Sequence, residues 1–208
     1  MPGVVNAVLL EKLSMKTIFF SLFFLVFGFI GNAQQDTSLV NRVNEMLRLT
    51  QLKDLEKVMD YTYPKLFTIA PREALIEIMK STYDTDEFII ELDSVKVDTI
   101  YPVFKVNDTS YAKIKHTMLM KMKYKEPFDT ADTKGTEFMI SLMEQKFGKG
   151  NVRFDPVANS LNIFMIPDMV GIKEKSSNWT FVNLDEDNPQ MLNMIFSKKV
   201  LDKLKEFK

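Results

Sequence analysis

The chain has 208 residues, a formal net charge of −1 from 27 Lys+Arg and 28 Asp+Glu, one histidine and no cysteine. That balance gives no global attraction to nucleic acid or anionic membrane, and the lack of cysteine excludes disulfides, thiolate metal sites and a lipidated cysteine. A chain of this length can bury a core in one domain without covalent staples.

The first 33 residues read as targeting information. Lys16 precedes an apolar run at 18–31, IFFSLFFLVFGFIG, and Gly31, Asn32 and Ala33 supply small residues at the processing position of a secretory signal peptide. As a helix that run would measure roughly 21 Å, short of a hydrocarbon core of about 30 Å. The start is Met1 or Met15, the latter directly before Lys16. Glu11, Lys12 and Lys16 sum to +1, so a mature chain of residues 34–208 would carry −2. The expectation is a single exported domain over 34–208, periplasmic or secreted, with no membrane association after cleavage.

Three short helices come first. Ser38 is placed to cap a helix whose apolar residues Leu39, Val43, Met46 and Leu47 share one face. A second helix turns Leu52, Leu55, Val58 and Met59 inward and ends by Tyr63, because Pro64 pushes its predecessor out of helical geometry. Pro71 opens a third, with Leu75, Ile76 and Met79 inward.

From Glu87 the period changes to two. Phe88, Ile90 and Leu92 share a face until Val95 and Val97 take over the apolar parity, which predicts a bulge near Asp93 and Ser94. Tyr101 to Val106 reads as a second strand and Asn107-Asp108 as a turn. Ser110 to Lys125 then alternates over its whole length, with Ala112, Ile114, His116, Met118, Met120, Met122 and Tyr124 on one parity and mainly lysines on the other. This is the spine of a sheet, its apolar face turned to the helices and its lysines to water. A straight strand of that length would measure roughly 50 Å, so it has to bend or twist.

Glu126 to Thr136 reads as a loop and Thr136 to Phe147 as a helix with Phe138, Leu142 and Met143 on one face, stopped by Gly148 and Gly150. Val152 to Phe154 is a short strand. Leu161 to Ile166, LNIFMI, is apolar on both parities and predicts a central strand covered on both faces. Pro167 interrupts it, and Met169 to Glu174 continues its direction. Trp179 to Leu184 is the last strand, and Asn188 to Phe207 carries Leu192, Ile195, Phe196, Val200 and Leu204 at the spacing of a C-terminal helix.

His116 is the one histidine, on an apolar face. It reads either as a packed imidazole with one buried partner or as a general acid or base near neutral pH. No second histidine and no carboxylate of the same parity completes a dyad. Met118, Met120 and Met122 serve equally as core or as a soft wall for an irregular apolar ligand. Glu91 and Asp93 share a face that reads as solvated. The acidic turns at 84–87 and 185–187 lack the spacing and central glycine of a calcium loop, and no phosphate-binding glycine loop, nucleophile elbow or metal-ligand histidine spacing occurs. No cofactor, metal or nucleic-acid partner is expected.

Helices followed by long, bent antiparallel strands, with Asp60 to Phe67 (DYTYPKLF), the hairpin from Asp98 to Tyr124 and Asn178 to Asp185 (NWTFVNLD), resemble the NTF2-like superfamily, also described as SnoaL-like or cystatin-like cones. The resemblance covers residues 38–125 and 159–185. It implies an α+β fold in which N-terminal helices pack on a curved, mainly antiparallel sheet; the mid-chain helix and the C-terminal helix are extra to that pattern. It further implies a cone mouth where Asp or His works with Tyr over an apolar cavity. The candidate ligand-binding residues are therefore His116, Met118, Met120, Tyr124, Tyr61, Tyr63 and Trp179, with His116 alone as a candidate catalyst. The expected function is a non-catalytic exported domain that binds a small molecule in the cone or a protein partner. Alternatives are a hydrolase, isomerase or dehydratase acting through His116, and a structural subunit of a cell-envelope assembly; a homodimer through the sheet also stays open.

Overall fold

The computed structural model describes residues 36–127 and 133–207. The leader and residues 128–132 of the polar loop lie outside the described residues. The described chain is α+β, with six α-helices and seven strands in one antiparallel sheet. Among the described residues no helix is long and apolar enough to cross a membrane.

Helix α1 (Thr37–Gln51) buries Leu39, Val43, Met46 and Leu47, the face that the spacing predicts, and Leu49 as well. Its cap is Asp36 and not Ser38: the Asp36 carboxylate accepts from the Ser38 N–H at 2.9 Å and so satisfies a free first-turn donor. Helix α2 (Leu55–Met59) is a single turn and leaves Leu52 outside it, exposed. Pro64 opens a 3₁₀ turn (Pro64–Thr68), and Pro71 caps α3 (Arg72–Tyr83).

Strand β3 (Thr109–Tyr124) is the spine. On one side it pairs with β1 (Phe88–Ile100) and β2 (Phe104–Val106). On the other it pairs with β5 (Ser160–Met165) and β6 (Asp168–Glu174) in a single register, Met118 opposite Met165 and Lys115 opposite Asp168. Pro167 separates β5 from β6 without a slip. The His116 N–H donates to the Pro167 carbonyl at 3.1 Å, and proline has no N–H to return. Outside these lie β4 (Val152–Asp155) against β5 and β7 (Thr180–Asn183) against β6. A parallel bridge adds Thr62 to β7: the Phe181 N–H donates to the Tyr61 carbonyl at 2.7 Å and the Tyr63 N–H to the Phe181 carbonyl at 2.9 Å.

The expected bulge is present between Asp93 and Lys96, with Ser94 at φ 53°, and a second register shift follows between Val97 and Thr99. Each adds a residue to β1 and bends it around β3. Asn107, at φ 54°, makes the turn between β2 and β3.

The inner face of the sheet is covered in two places. At one end Ala112, Ile114, Met169, Trp179 and Phe181 pack against Leu39, Val43, Met46 and Leu47 of α1. Gly171 permits this approach, since a Cβ there would stand 3.1 Å from Leu39 Cδ1. At the other end Met122, Val152, Leu161 and Ile163 pack against Met139, Ile140, Met143 and Phe147 of α4 (Thr133–Phe147).

The outer face departs from the sequence expectation. Two helices and not one, α5 (Pro189–Ile195) and α6 (Lys198–Leu204), cover the end of the sheet that carries Tyr111, Val170 and Ile172. The helical spacing is interrupted because Phe196 turns extended and packs edge-on against Tyr111, and Ser197 restarts the helix. Lys113 therefore does not face water. Its side chain is 7 % exposed, paired with Asp168 at 2.8 Å and donating to the Phe207 carbonyl at 3.0 Å. Lys121 and Lys123 do lie at the surface and pair across the ladder with Asp93 and Glu91. Strand β5 is not covered on both sides: Phe164 is 41 % exposed and Ile166, just beyond the strand, 55 %, and neither belongs to the cluster under the C-terminal helices.

Candidate functional site

Between the two covered ends, the inner face of the sheet is open. A cleft of about 1200 Å³ lies there. Ile90 and Leu92 of β1, His116, Met118 and Met120 of β3, and Met165, Pro167 and Met169 across from them form its floor. Met46, Leu47 and Thr50 of α1 and Leu75, Ile78, Met79, Thr82 and Tyr83 of α3 form one wall, with Lys146 and Phe147 at the end of α4. The turn Asp185 to Asp187 forms part of the rim.

His116 reaches this cleft although the residue is only 2 % exposed. It does so because its parity on β3 is the inner one, shared with Met118 and Met120. Its Nδ1 is buried without a hydrogen-bond partner. Burial pushes the imidazole pKa down to about 4, against a smaller opposing pull from the Asp168 carboxylate. The ring is therefore neutral at pH 7 and retains a basic nitrogen. Asp168 also lines the cleft; its Oδ2 is held by Lys113, and its Oδ1 is buried without a partner.

Of the residues expected at a site, His116, Met118 and Met120 are brought together on this floor. The four aromatic residues are placed elsewhere, each held by a structural contact. Tyr61 lies under the Arg42 guanidinium, 4.4 Å from the ring centre. Tyr63 packs with the C-terminal helices and donates its hydroxyl to Glu174 Oε1 at 2.7 Å. Tyr124 sits below α4, its hydroxyl donating to Met139 Sδ at 3.1 Å. Trp179 is buried beside the start of α1 and donates Nε1–H to Asp36 Oδ2 at 2.9 Å. Strand parity could not separate these cases, because three of the four lie outside β3, and Tyr124 lies at its covered end.

Two features escaped sequence reasoning. The first is the methionine content of the cleft: Met46, Met59, Met79, Met118, Met120, Met165, Met169 and Met191 all line it, out of 14 in the chain. Their number was visible in the sequence, but their convergence depends on the register that sets Met165 against Met118. The second is charge. The charged residues lining the cleft are four carboxylates, Asp168, Asp185, Glu186 and Asp187, against the single lysine Lys146. Asp185 to Asp187 reads in sequence as a mere connection, and only the path of the chain after β7 brings it to the rim.

The fold and cleft define an α+β protein with a preformed, largely apolar cavity between helices and sheet. Comparisons of the chain with protein families, with curated proteins and with solved structures found no match.

Proposed function

We propose that this chain is an exported, non-catalytic binding module of the NTF2-like kind, holding a small and largely apolar molecule in the cleft. The element order supports the family reading: helices, a short parallel bridge from Thr62 to β7, then an antiparallel sheet bent by two bulges around β3. The export reading rests on the leader at residues 1–33. The observation that carries the binding reading is the cleft of about 1200 Å³ floored by methionine and aliphatic side chains, soft and unbranched groups that adapt to an irregular ligand.

The non-catalytic reading is preferred over a hydrolase, isomerase or dehydratase because the His116 Nδ1 has no acidic or phenolic group bonded to it among the described residues. A proton-transfer catalyst needs such a group, or a substrate atom, within hydrogen-bond reach. A second binding reading draws on the exposed Phe164 and Ile166: a protein partner, or a second copy, against the uncovered half of the outer sheet face.

Titration with the neutral apolar dye Nile red tests the cleft. Saturable one-to-one binding is expected, with a rise in melting temperature. Leu92→Trp, which fills the floor from β1, should remove it. Absence of saturable binding, or binding unchanged in the Leu92→Trp protein, would overturn the reading, and a concentration-dependent dimer lost on Phe164→Glu would favour the outer face.

A further inference from the structure

We propose that His116, Met118 and Met165, flanked by Met120 and Met169, form a binding site for a soft monovalent cation, Cu(I), on the floor of the cleft. This goes beyond the apolar ligand proposed above and does not require it.

Met118 is directly opposite Met165 and Ile114 directly opposite Met169, while His116 faces Pro167 between them. The imidazole thus has Met118 two residues along its own strand and Met165 and Met169 on the two diagonals, all on one face. Directly opposite residues have Cβ atoms about 4.5–5.5 Å apart, and residues two apart on a strand lie about 6.6 Å apart. Methionine side chains, unbranched and with three rotatable bonds, are long enough to bring their sulfurs and the imidazole to one point above that lattice.

The donor chemistry selects the ion. Thioether sulfur is a soft, uncharged ligand that favours Cu(I) and discriminates against Mg²⁺, Ca²⁺ and Mn²⁺, and imidazole suits copper as well. Among the described residues no group of three or more His, Cys, Asp or Glu side chains forms a harder site. The His116 Nδ1 is buried and unpartnered, a state that normally carries an energetic penalty and that a metal bond would relieve.

Charge supports a cation and not an anion. Asp168 is already paired with Lys113, but the carboxylates of Asp185, Glu186 and Asp187 still outnumber Lys146 around the same cleft, and the acidic turn lies at its rim. Such a lining raises the local concentration of cations. Neutral N and S donors leave a single positive charge on a Cu(I) site, which a buried floor tolerates better than a divalent ion. The alternative role for the methionines, gap-filling without a ligand, accounts for their softness but not for the orphaned imidazole nitrogen.

The test uses the purified protein under anaerobic conditions. Cu(I) is supplied as its coloured bicinchoninate complex, and withdrawal of one equivalent by the protein is read by loss of absorbance. Met118→Leu and Met165→Leu conserve volume and keep the fold; each should weaken Cu(I) binding at least tenfold, as should His116→Phe. Met194→Leu, at an exposed position away from the cleft, should leave it unchanged. With ¹³C-methyl methionine and Ag(I) as a redox-inert probe, the Met118 and Met165 methyl resonances should shift and that of Met194 should not. Failure to withdraw Cu(I), wild-type affinity in both leucine variants with melting temperatures intact, or Ag(I) shifts confined to methionines outside the floor would each overturn the site.

Discussion

Lys113 and Asp168 meet at 2.8 Å, and Asp168 also lines the cleft that His116 reaches. Both charges are largely removed from water, and the lysine donates further to the Phe207 carbonyl at 3.0 Å. The pair therefore ties β3, β6 and the end of the chain together. Removing one member leaves the other charge buried and uncompensated, which typically destabilises by about 3–5 kcal/mol. Lys113→Met should lower stability by that order in urea denaturation. Lys113→Met with Asp168→Leu should recover most of it, because two apolar groups of similar volume leave no orphaned charge. A double variant as unstable as the single one would show that the pair is not coupled.

His116 makes stability depend on pH in a defined direction. Its folded pKa is near 4 and the ordinary value is 6.5, so the unfolded chain takes up the proton first as pH falls. Stability attributable to this group is constant above about pH 6.5, falls between about 6.5 and 4, and is constant again below. The full effect is on the order of 3 kcal/mol. Equilibrium unfolding between pH 7.5 and 4, compared with His116→Phe, should show this component vanish in the variant. If both proteins lose the same stability over that window, the imidazole is not buried in its neutral form.

Asp36 has two tasks at the start of α1. It caps the helix through the Ser38 N–H and accepts the Trp179 indole N–H at 2.9 Å. The Ser38 hydroxyl bond is the main cause that holds its carboxyl below the usual range, with Trp179 adding to it. The stability it contributes is present above about pH 3.8 and is lost as pH falls through the lower folded value. Asp36→Ala should destabilise by about 1–2 kcal/mol from the lost cap and the unpaired indole. Tryptophan fluorescence should shift to the red in the same variant. An unchanged emission maximum would mean that Trp179 keeps its environment without Asp36.

Gly171 sets the distance between α1 and the sheet. A Cβ there would come within 3.1 Å of Leu39 Cδ1 and 3.4 Å of both Ile114 and Phe181. Gly171→Ala should destabilise by about 1 kcal/mol, since the Leu39 terminus has to move, and Gly171→Val by about 3 kcal/mol. Pairing Gly171→Ala with Leu39→Val should restore part of the loss. A stabilised alanine variant would show slack at this contact that the packing does not suggest.

How far the sequence led can be judged from particular elements. Period two over Ser110 to Lys125 located the spine of the sheet because alternation is a local consequence of strand geometry. The change of apolar parity at Asp93 and Ser94 gave the bulge for the same reason, and Asn107-Asp108 gave its turn. The inward face of His116 was also legible. The cover over Lys113 was not, because a lysine's exposure depends on α5 and α6, almost eighty residues further along the chain. Leu161 to Ile166 misled for a related reason: apolar residues on both parities signal two covered faces, yet Phe164 and Ile166 are exposed.

What the sequence determined by itself is local: which segments repeat every two residues, where the chain turns, and which side of β3 carries methionine and histidine. Tertiary structure alone decided that a cleft reaches His116, that Met165 and Met169 stand beside it, and that an acidic turn lies at its rim. The physical reason is that periodicity is fixed by backbone geometry within a few residues, whereas a cavity exists only where separate elements fail to meet. The approach of α1 to the sheet depends on Gly171, the place of Met165 on the unbroken register across Pro167, and the acidic rim on the path of the chain after β7, none of which is written in any one stretch of residues.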